Sequence, residues 1–121
     1  MLSEELKGQL LRRLLTLSPR KIILFGSHAY GQPGKDSDID LLVVTSDDFL
    51  PDNFAEKNAI YLRVANVILD LEKQYPIDLI VHTKSMHEKF INLDSMFARN
   101  ITATGEVLYE APDPAPRHRV H

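Results

Sequence analysis

The sequence predicts an α/β or α+β fold, a small mixed β-sheet of three to four strands with helices packed on it. Three short apolar runs are rich in strand-forming residues, and a fourth, shorter candidate lies near the C-terminus. The longer segments between these runs carry apolar residues at helical spacing. The order is helix, strand, helix, strand, long helix, strand, helix, which is typical of a sheet covered by helices.

The first helix is predicted over residues 3–17, with Ser3 as its N-cap and Ser18-Pro19 ending it. The first strand follows at residues 21–25, and Gly26-Ser27 comes directly after it. The apolar stripe of this helix consists of Leu6, Leu10, Leu14 and Leu17.

A short helix is predicted to begin at residues 28–29, before a glycine- and proline-containing stretch breaks it. The second strand is predicted over residues 38–44. A single long helix is predicted over residues 54–74, stopped by Tyr75-Pro76. Its apolar stripe is Ile60, Val64, Val67, Ile68 and Leu71. Leu62, Ala65 and Leu69 lie well round from that stripe and are candidates for contact with a partner.

The last elements are a strand at residues 77–81, one helix over residues 84–100 and a short strand at residues 106–110. The inner face of that helix is predicted to consist of Met86, Phe90, Leu93 and Phe97.

The chain of 121 residues is long enough for one domain, which we place at residues 1–110. Residues 111–121 hold three prolines and a basic end, and are predicted to be a disordered tail. The net charge of −3 does not favour autonomous binding of nucleic acid. The absence of cysteine excludes disulfides and cysteine-ligated zinc.

A cytoplasmic protein that does not span a membrane is expected. No apolar run approaches the ~20 residues that a transmembrane helix needs. The acidic N-terminus is unlike a signal peptide.

Three carboxylates fall in or beside apolar strands. Asp38 and Asp40 are two residues apart on one strand, so their side chains are predicted to share a face. If the third strand pairs beside the second, Asp78 joins them. Burying a carboxylate is costly unless a cation or strong donors lie nearby. Such oxygen ligands suit Mg²⁺, and three carboxylates can hold two metal ions for phosphoryl or nucleotidyl transfer.

Gly26 and Ser27 are predicted to bind an anion at the junction between the first strand and the short helix. Glycine allows close approach to the backbone, and the start of a helix offers free N–H groups. With the aspartates ten residues later, this arrangement suits a Mg²⁺-bound triphosphate. An ordinary tight turn is the alternative for the Gly-Ser pair taken alone.

The runs at residues 25–31 and 37–43 resemble the polymerase-β-like nucleotidyltransferase superfamily. They are most similar to its minimal nucleotidyltransferase (MNT) proteins, and the resemblance extends through residues 77–81 and, more loosely, 105–109. It covers most of residues 20–110. It implies a nucleotidyltransferase fold and a metal-dependent transfer of a nucleoside monophosphate.

The resemblance also implies a role for each matching residue. Asp38 and Asp40 correspond to metal ligands, and Asp78 to a third carboxylate that serves as metal ligand and base. Gly26 and Ser27 correspond to the residues that contact phosphate. The implied cofactors are two Mg²⁺ ions, with Mn²⁺ as an alternative, and ATP is the implied substrate.

Two further residues are candidates for nucleotide contact. His28 stands where many members of the family have arginine, and a neutral histidine binds phosphate less strongly. Capping of the short helix is an equal interpretation. Lys35 lies between the anion-binding turn and the aspartates, and a solvated loop lysine explains it at least as well. His82 and His87 are five residues apart and are not predicted to bind metal.

MNT proteins are often the antitoxin partner of an all-helical HEPN toxin, and some transfer AMP from ATP to a tyrosine of that toxin. The resemblance therefore implies a toxin–antitoxin function and a hetero-oligomer with a HEPN-type protein. Two alternatives stay open. The domain could neutralise its partner by masking it without catalysis, or it could transfer a nucleotide to a small molecule or an RNA end.

Overall fold

The computed structural model describes residues 2–30 and 38–112. Within them lies one four-stranded mixed sheet with the order β3-β2-β1-β4. Strand β1 is antiparallel to both β2 and β4, whereas β2 and β3 run parallel. The predicted mixed sheet covered by helices is confirmed. The strands are β1 Lys21–Phe25, β2 Ile39–Val44, β3 Ile77–His82 and β4 Glu106–Glu110.

Six helices accompany the sheet in the described part of the chain. They are α1 Glu4–Leu14, α2 Ser27–Tyr30, α3 Phe54–Val67, α4 Leu69–Gln74, α5 Lys84–Asn92 and α6 Met96–Thr104.

The N-terminal helix has the predicted cap and a different end. The Ser3 side chain accepts a hydrogen bond from the backbone N–H of Leu6, which satisfies one of the free donors of the first turn. Helix α1 stops at Leu14, and residues 15–17 form a 3₁₀ turn. Ser18 then takes a left-handed conformation with φ 51°, which ends the helical path before Pro19.

The predicted single helix over residues 54–74 is wrong, because the chain bends at Ile68 between α3 and α4. Ile68 has φ −118° and ψ 15°, and its N–H bonds to the carbonyl of Ala65. The bend leaves the Val67 carbonyl to accept a hydrogen bond from Arg13 of α1, at 3.3 Å. Ile68 is fully buried at the bend. Ala65, which was predicted to lie outside the apolar stripe of the helix, is buried as well.

The predicted helix over residues 84–100 is also wrong, since two helices, α5 and α6, replace it. Asp94 has φ 52°, which no helix continues, and the Ser95 side chain caps α6 by accepting from Ala98 N–H. The break turns Leu93, predicted to face inward, out to solvent with 72% exposure. Phe97, also predicted to be inside, is half-exposed, and the buried residues of α6 are Ala98 and Ile101.

The sheet divides the apolar interior into two unequal parts. Helices α1, α3 and α4 cover one face and bury the larger cluster, which includes Leu10, Leu24, Leu41 and Val64. The opposite face carries a smaller cluster, Ile23, Phe25, Leu42 and Ile101, with α5 and α6 against it. In strand β2 the side chains alternate between the two faces, so Asp40 belongs to the side of the smaller cluster.

No helix in the described ranges has the length and apolar character needed to cross a bilayer. Lys35 and the chain beyond residue 112 lie outside the described residues. Their predicted roles therefore stay predictions.

Candidate active site

Asp38, Asp40 and Asp78 all lie at one edge of the sheet, where β1 ends and where β2 and β3 begin. Asp40 and Asp78 are register partners on the parallel strands β2 and β3. On the other side Asp40 is the partner of Phe25, the last residue of β1. The third strand does pair beside the second, so Asp78 lies next to Asp40.

Gly26 lies against the Asp40 carboxyl group immediately after β1. Its φ is +74°, a conformation that glycine adopts without the steric cost of a side chain. A Cβ at this position would lie 2.1 Å from Oδ2 of Asp40, closer than any non-bonded contact allows. The turn therefore favours glycine, and a larger residue would also have to displace the Asp40 carboxyl group, which gives a structural reason for the glycine of the Gly-Ser junction.

The Asp40 carboxyl group is half-buried among like charges. Burial raises its pKa above the usual range, and the negative charges of Asp78 and Asp38 raise it further. His28 acts in the opposite direction and lowers the pKa of Asp40. A carboxylate in this environment is stabilised by a bound cation, since a cation offsets both the burial and the repulsion.

Asp38 immediately precedes β2 and is exposed, so the strand begins one residue later than predicted. Its charge still acts on Asp40. Within residues 2–30 and 38–112, no three His, Asp or Glu side chains are already gathered closely enough to hold a metal ion. The three aspartates fit a cation in donor type, in charge and in placement at one sheet edge, and their side chains would have to converge around it.

The predicted anion-binding residues lie beside this edge. Ser27 is the first residue of α2, and the N–H of Ala29 donates to the carbonyl of Gly26 at 3.0 Å. His28, on the same short helix, is partly buried and close enough to Asp40 to affect its pKa. The structure thus brings Gly26, His28, Asp40 and Asp78 together.

A cavity of about 330 Å³ opens beside the carboxylates, and helix α6 forms its far wall. Gly26, Asp40 and Asp78 line one side, and Asn100 and Thr104 of α6 line the other. Sequence reasoning missed both α6 residues, because the single helix predicted over residues 84–100 has an inner face without Asn100 and ends before Thr104. The only available signal was the spacing of Asn100 three residues after Phe97, which places both on one helical face.

His82 and His87 form a pair away from the carboxylates. Their Nδ1 atoms lie 3.1 Å apart, a hydrogen-bond distance in which one ring donates and the other accepts. Burial is the main cause that lowers the pKa of His82 to about 4, and it also lowers the pKa of His87. Both rings are therefore neutral near pH 7, and they pack against Phe90.

A mixed sheet covered by helices in this way is a nucleotidyltransferase fold. Residues 4–108 match the family described as the nucleotidyltransferase domain, which covers most of the chain. The chain therefore belongs to the nucleotidyltransferase domain family.

A relative from Methanocaldococcus jannaschii supports the assignment. It is named "putative protein adenylyltransferase" and is 37% identical over 90 residues, which make up 74% of this chain and 78% of the relative.

Two solved structures have the same fold. One, a toxin–antitoxin with AMP-PNP, has a TM-score of 0.55 and 21% identity, over 87% of this chain and 73% of that one. Another, a mutant of the toxin–antitoxin MntA-HpeT, has a TM-score of 0.50 and 21% identity, over 91% of this chain and 75% of that one.

Proposed function

We propose that the protein transfers AMP from ATP to a tyrosine hydroxyl of a helical, HEPN-type partner and so acts as the antitoxin of a toxin–antitoxin pair. The observation that carries the proposal is the register of Asp40 and Asp78 on adjacent parallel strands beside Gly26. Family membership, the relative named as a protein adenylyltransferase and the two toxin–antitoxin neighbours support it. The cytoplasmic location expected from the sequence stays a prediction.

The carboxylates would hold the metal ions. Asp38, Asp40 and Asp78 are the residues that would bind Mg²⁺, or Mn²⁺ in its place. Such ions, when bound, neutralise charge on the triphosphate and on the departing pyrophosphate. The raised pKa of Asp40 is consistent with this assignment, since its causes are burial and neighbouring carboxylates, both of which a cation offsets.

The chain's own residues would position ATP and move one proton. Gly26 permits close approach of the phosphates to the backbone, and Ser27 offers a hydroxyl donor to them. The tyrosine oxygen attacks the α-phosphorus, and the bond from that phosphorus to the oxygen bridging to the β-phosphate breaks. Pyrophosphate leaves, and Asp78 accepts the proton of the tyrosine hydroxyl. The product is a tyrosine–AMP phosphodiester.

The test uses the full chain, Mg²⁺, and the helical protein encoded by the neighbouring gene. ATP labelled at the α-phosphate should label that protein, whereas ATP labelled at the γ-phosphate should not. Mass spectrometry should locate the added AMP on tyrosine. Absence of label on the partner would reject this acceptor, and transfer of the γ-label would indicate phosphorylation instead.

Two variants test whether labelling depends on the carboxylates of the candidate site or on surface charge in general. Asp38→Ala/Asp40→Ala should abolish labelling, whereas Asp48→Ala, which removes an exposed carboxylate outside the site, should leave it unchanged. Equal labelling by the double variant would reject the site.

The same double variant tests masking without catalysis. The exposed Leu62 and Leu69 on the outer side of α3 and α4 favour this alternative, because they offer apolar surface to a partner. If the double variant still neutralises the partner in cells, masking is the mechanism. If neutralisation is lost together with labelling, catalysis is required.

A further inference from the structure

The cavity beside the carboxylates has two chemically different walls. The first is polar and acidic, formed by Asp40, Asp78 and Gly26. The second is the side of α6 that carries Phe97 and Asn100, one turn apart. A volume of about 330 Å³ is at the lower end of the range for small-molecule pockets. One nucleoside is a suitable occupant for a space of this size.

We propose that Phe97 and Asn100 form the wall that recognises the nucleobase of the nucleotide, and that this wall selects adenine. The inference rests on the proposed function, because it assigns the base of the same nucleotide whose phosphates lie at the carboxylate edge. It gives the half-exposed ring of Phe97 and the amide of Asn100 a role in binding substrate.

Phe97 is held as a fixed aromatic surface. Its ring makes edge-on contacts with Phe25, at 5.8 Å between centroids and an interplanar angle of 80°, and with Phe90, at 5.9 Å and 81°. It nevertheless stays 48% exposed and faces the cavity. A ring that is immobilised on one side and open on the other provides a stacking surface without a large loss of side-chain entropy on binding.

Asn100 supplies the hydrogen-bonding group of this wall. Its side chain is exposed, and its amide makes no hydrogen bond with any other residue that the structure describes. The hydroxyl of Thr104 already donates to the backbone carbonyl of Asn100 at 2.6 Å. An amide presents one donor and one acceptor side by side, which matches the N7 acceptor and the N6 donor of adenine. Guanine presents two acceptors at the same edge and does not match in this way.

The location of the wall favours the nucleotide over the acceptor as its ligand. A nucleotide whose phosphates lie beside Gly26 and Asp40 has its nucleoside within the same cavity, which extends from those residues to α6. The acceptor tyrosine belongs to a protein surface and approaches from outside. Stacking combined with an adenine-matching amide is the chemistry of base recognition.

The experiment compares Asn100→Ala and Phe97→Leu with wild type in the AMP-transfer assay. Asn92→Ala serves as the matched control, because Asn92 is an exposed asparagine at the end of α5, outside the cavity lining. Loss of a bidentate amide contact should raise KM for ATP about tenfold and abolish the preference for ATP over GTP. The turnover number should stay within about twofold, and circular dichroism should show an unchanged fold. Phe97→Leu should weaken the binding of ATP and of GTP to the same extent, because it removes the stacking surface.

Direct binding of ATP and GTP, without acceptor, separates this inference from the proposed function. If wild type transfers no AMP but binds ATP in an Asn100-dependent way, the proposed function fails and the inference stands. If Asn100→Ala leaves both the affinity and the preference for ATP unchanged, the inference is overturned even when transfer is active. An effect confined to KM for the protein acceptor also overturns it, because the wall then serves the acceptor.

Discussion

Gly26 determines how closely the backbone after β1 approaches the Asp40 carboxyl group. Two separate features disfavour a larger residue at position 26: the φ of +74°, and the distance of 2.1 Å that a Cβ would have to Oδ2 of Asp40, whose carboxyl group would have to move. The Cβ of Asp40, in contrast, would lie 3.5 Å from that added Cβ, an ordinary contact. The backbone cost and the carboxylate clash can therefore be separated by mutation.

Gly26→Ala should be more destabilising in wild type than in an Asp40→Ala background. In both backgrounds the alanine at positive φ costs about 1–2 kcal/mol. Only in wild type does it also displace the Asp40 carboxyl, so we expect a total above about 2 kcal/mol there. Urea denaturation of the four proteins in this double-mutant cycle measures the coupling. An equal loss of unfolding free energy in both backgrounds would show that the Asp40 carboxylate makes no close contact with position 26.

Some residues of the candidate site can be predicted from the sequence, and others cannot. Asp40 and Asp78 are recognisable from the sequence because a carboxylate within an apolar strand is unusual. Gly26 is recognisable because Gly26-Ser27 directly follows the first strand and precedes a short helix. Asn100 cannot be identified as a site residue from the sequence, since asparagine is common on amphipathic helices. It becomes a candidate only once the break before α6 fixes which face of that helix points to the carboxylates.

At the scale of elements, all four strands were predictable and the lengths of two helices were not. Each strand is a short run of β-branched and apolar residues, a pattern that depends on local sequence. The bends at Ile68 and Asp94 depend instead on contacts with distant parts of the chain or on a single left-handed residue. The Val67 carbonyl is satisfied by Arg13, which lies in a different helix, and no periodicity over residues 54–74 could reveal that.

The His82–His87 pair joins β3 to α5, and its protonation should destabilise the fold. His82 lies at the end of β3, only 9% exposed, and its ring lies 5.0 Å from that of Phe90. Burial first, then the charges of His87 and Lys57, lower the pKa of His82 to about 4. An additional proton on this pair would also remove the acceptor from the contact between the two Nδ1 atoms.

We therefore expect stability to fall as the pH decreases from about 6.5 to about 4. An unfolded histidine binds a proton near pH 6.5, whereas His82 in the native state does so only near pH 4. The unfolded chain thus binds more protons in this window, and the loss reaches the order of 3 kcal/mol at its lower end. His87, whose pKa is also lowered, adds in the same direction.

Urea denaturation at pH 7.5, 6 and 5 measures this effect, with His82→Asn as the comparison. The variant should show a clearly flatter dependence, although His87 still titrates. The carboxylates whose pKa values are lowered by ion pairs or hydrogen bonds, Asp47, Asp70 and Asp94, lose their contributions below this window. An identical slope in wild type and variant would exclude His82 as the source.

For the whole molecule, the two faces of the sheet contribute unequally to stability. The face under α1, α3 and α4 holds the larger buried cluster, which includes five of the fully buried leucines, Leu10, Leu14, Leu24, Leu41 and Leu71. On the other face α5 contributes no buried residue and α6 contributes two. Since burial of apolar area is the main stabilising contribution, α5 and α6 are held less strongly than the rest.

Native-state hydrogen exchange should show this asymmetry. Amides of α6 should exchange through local opening, at a free energy a few kcal/mol below that of β1 and β2, which should exchange only on global unfolding. Protection of α6 equal to that of β1 would contradict the asymmetry. Because α6 also forms one wall of the cavity beside Asp40 and Asp78, a nucleotide bound there contacts the part of the fold that opens first. An ATP analogue should therefore slow exchange in α6 more than in α1, which lies on the opposite face of the sheet.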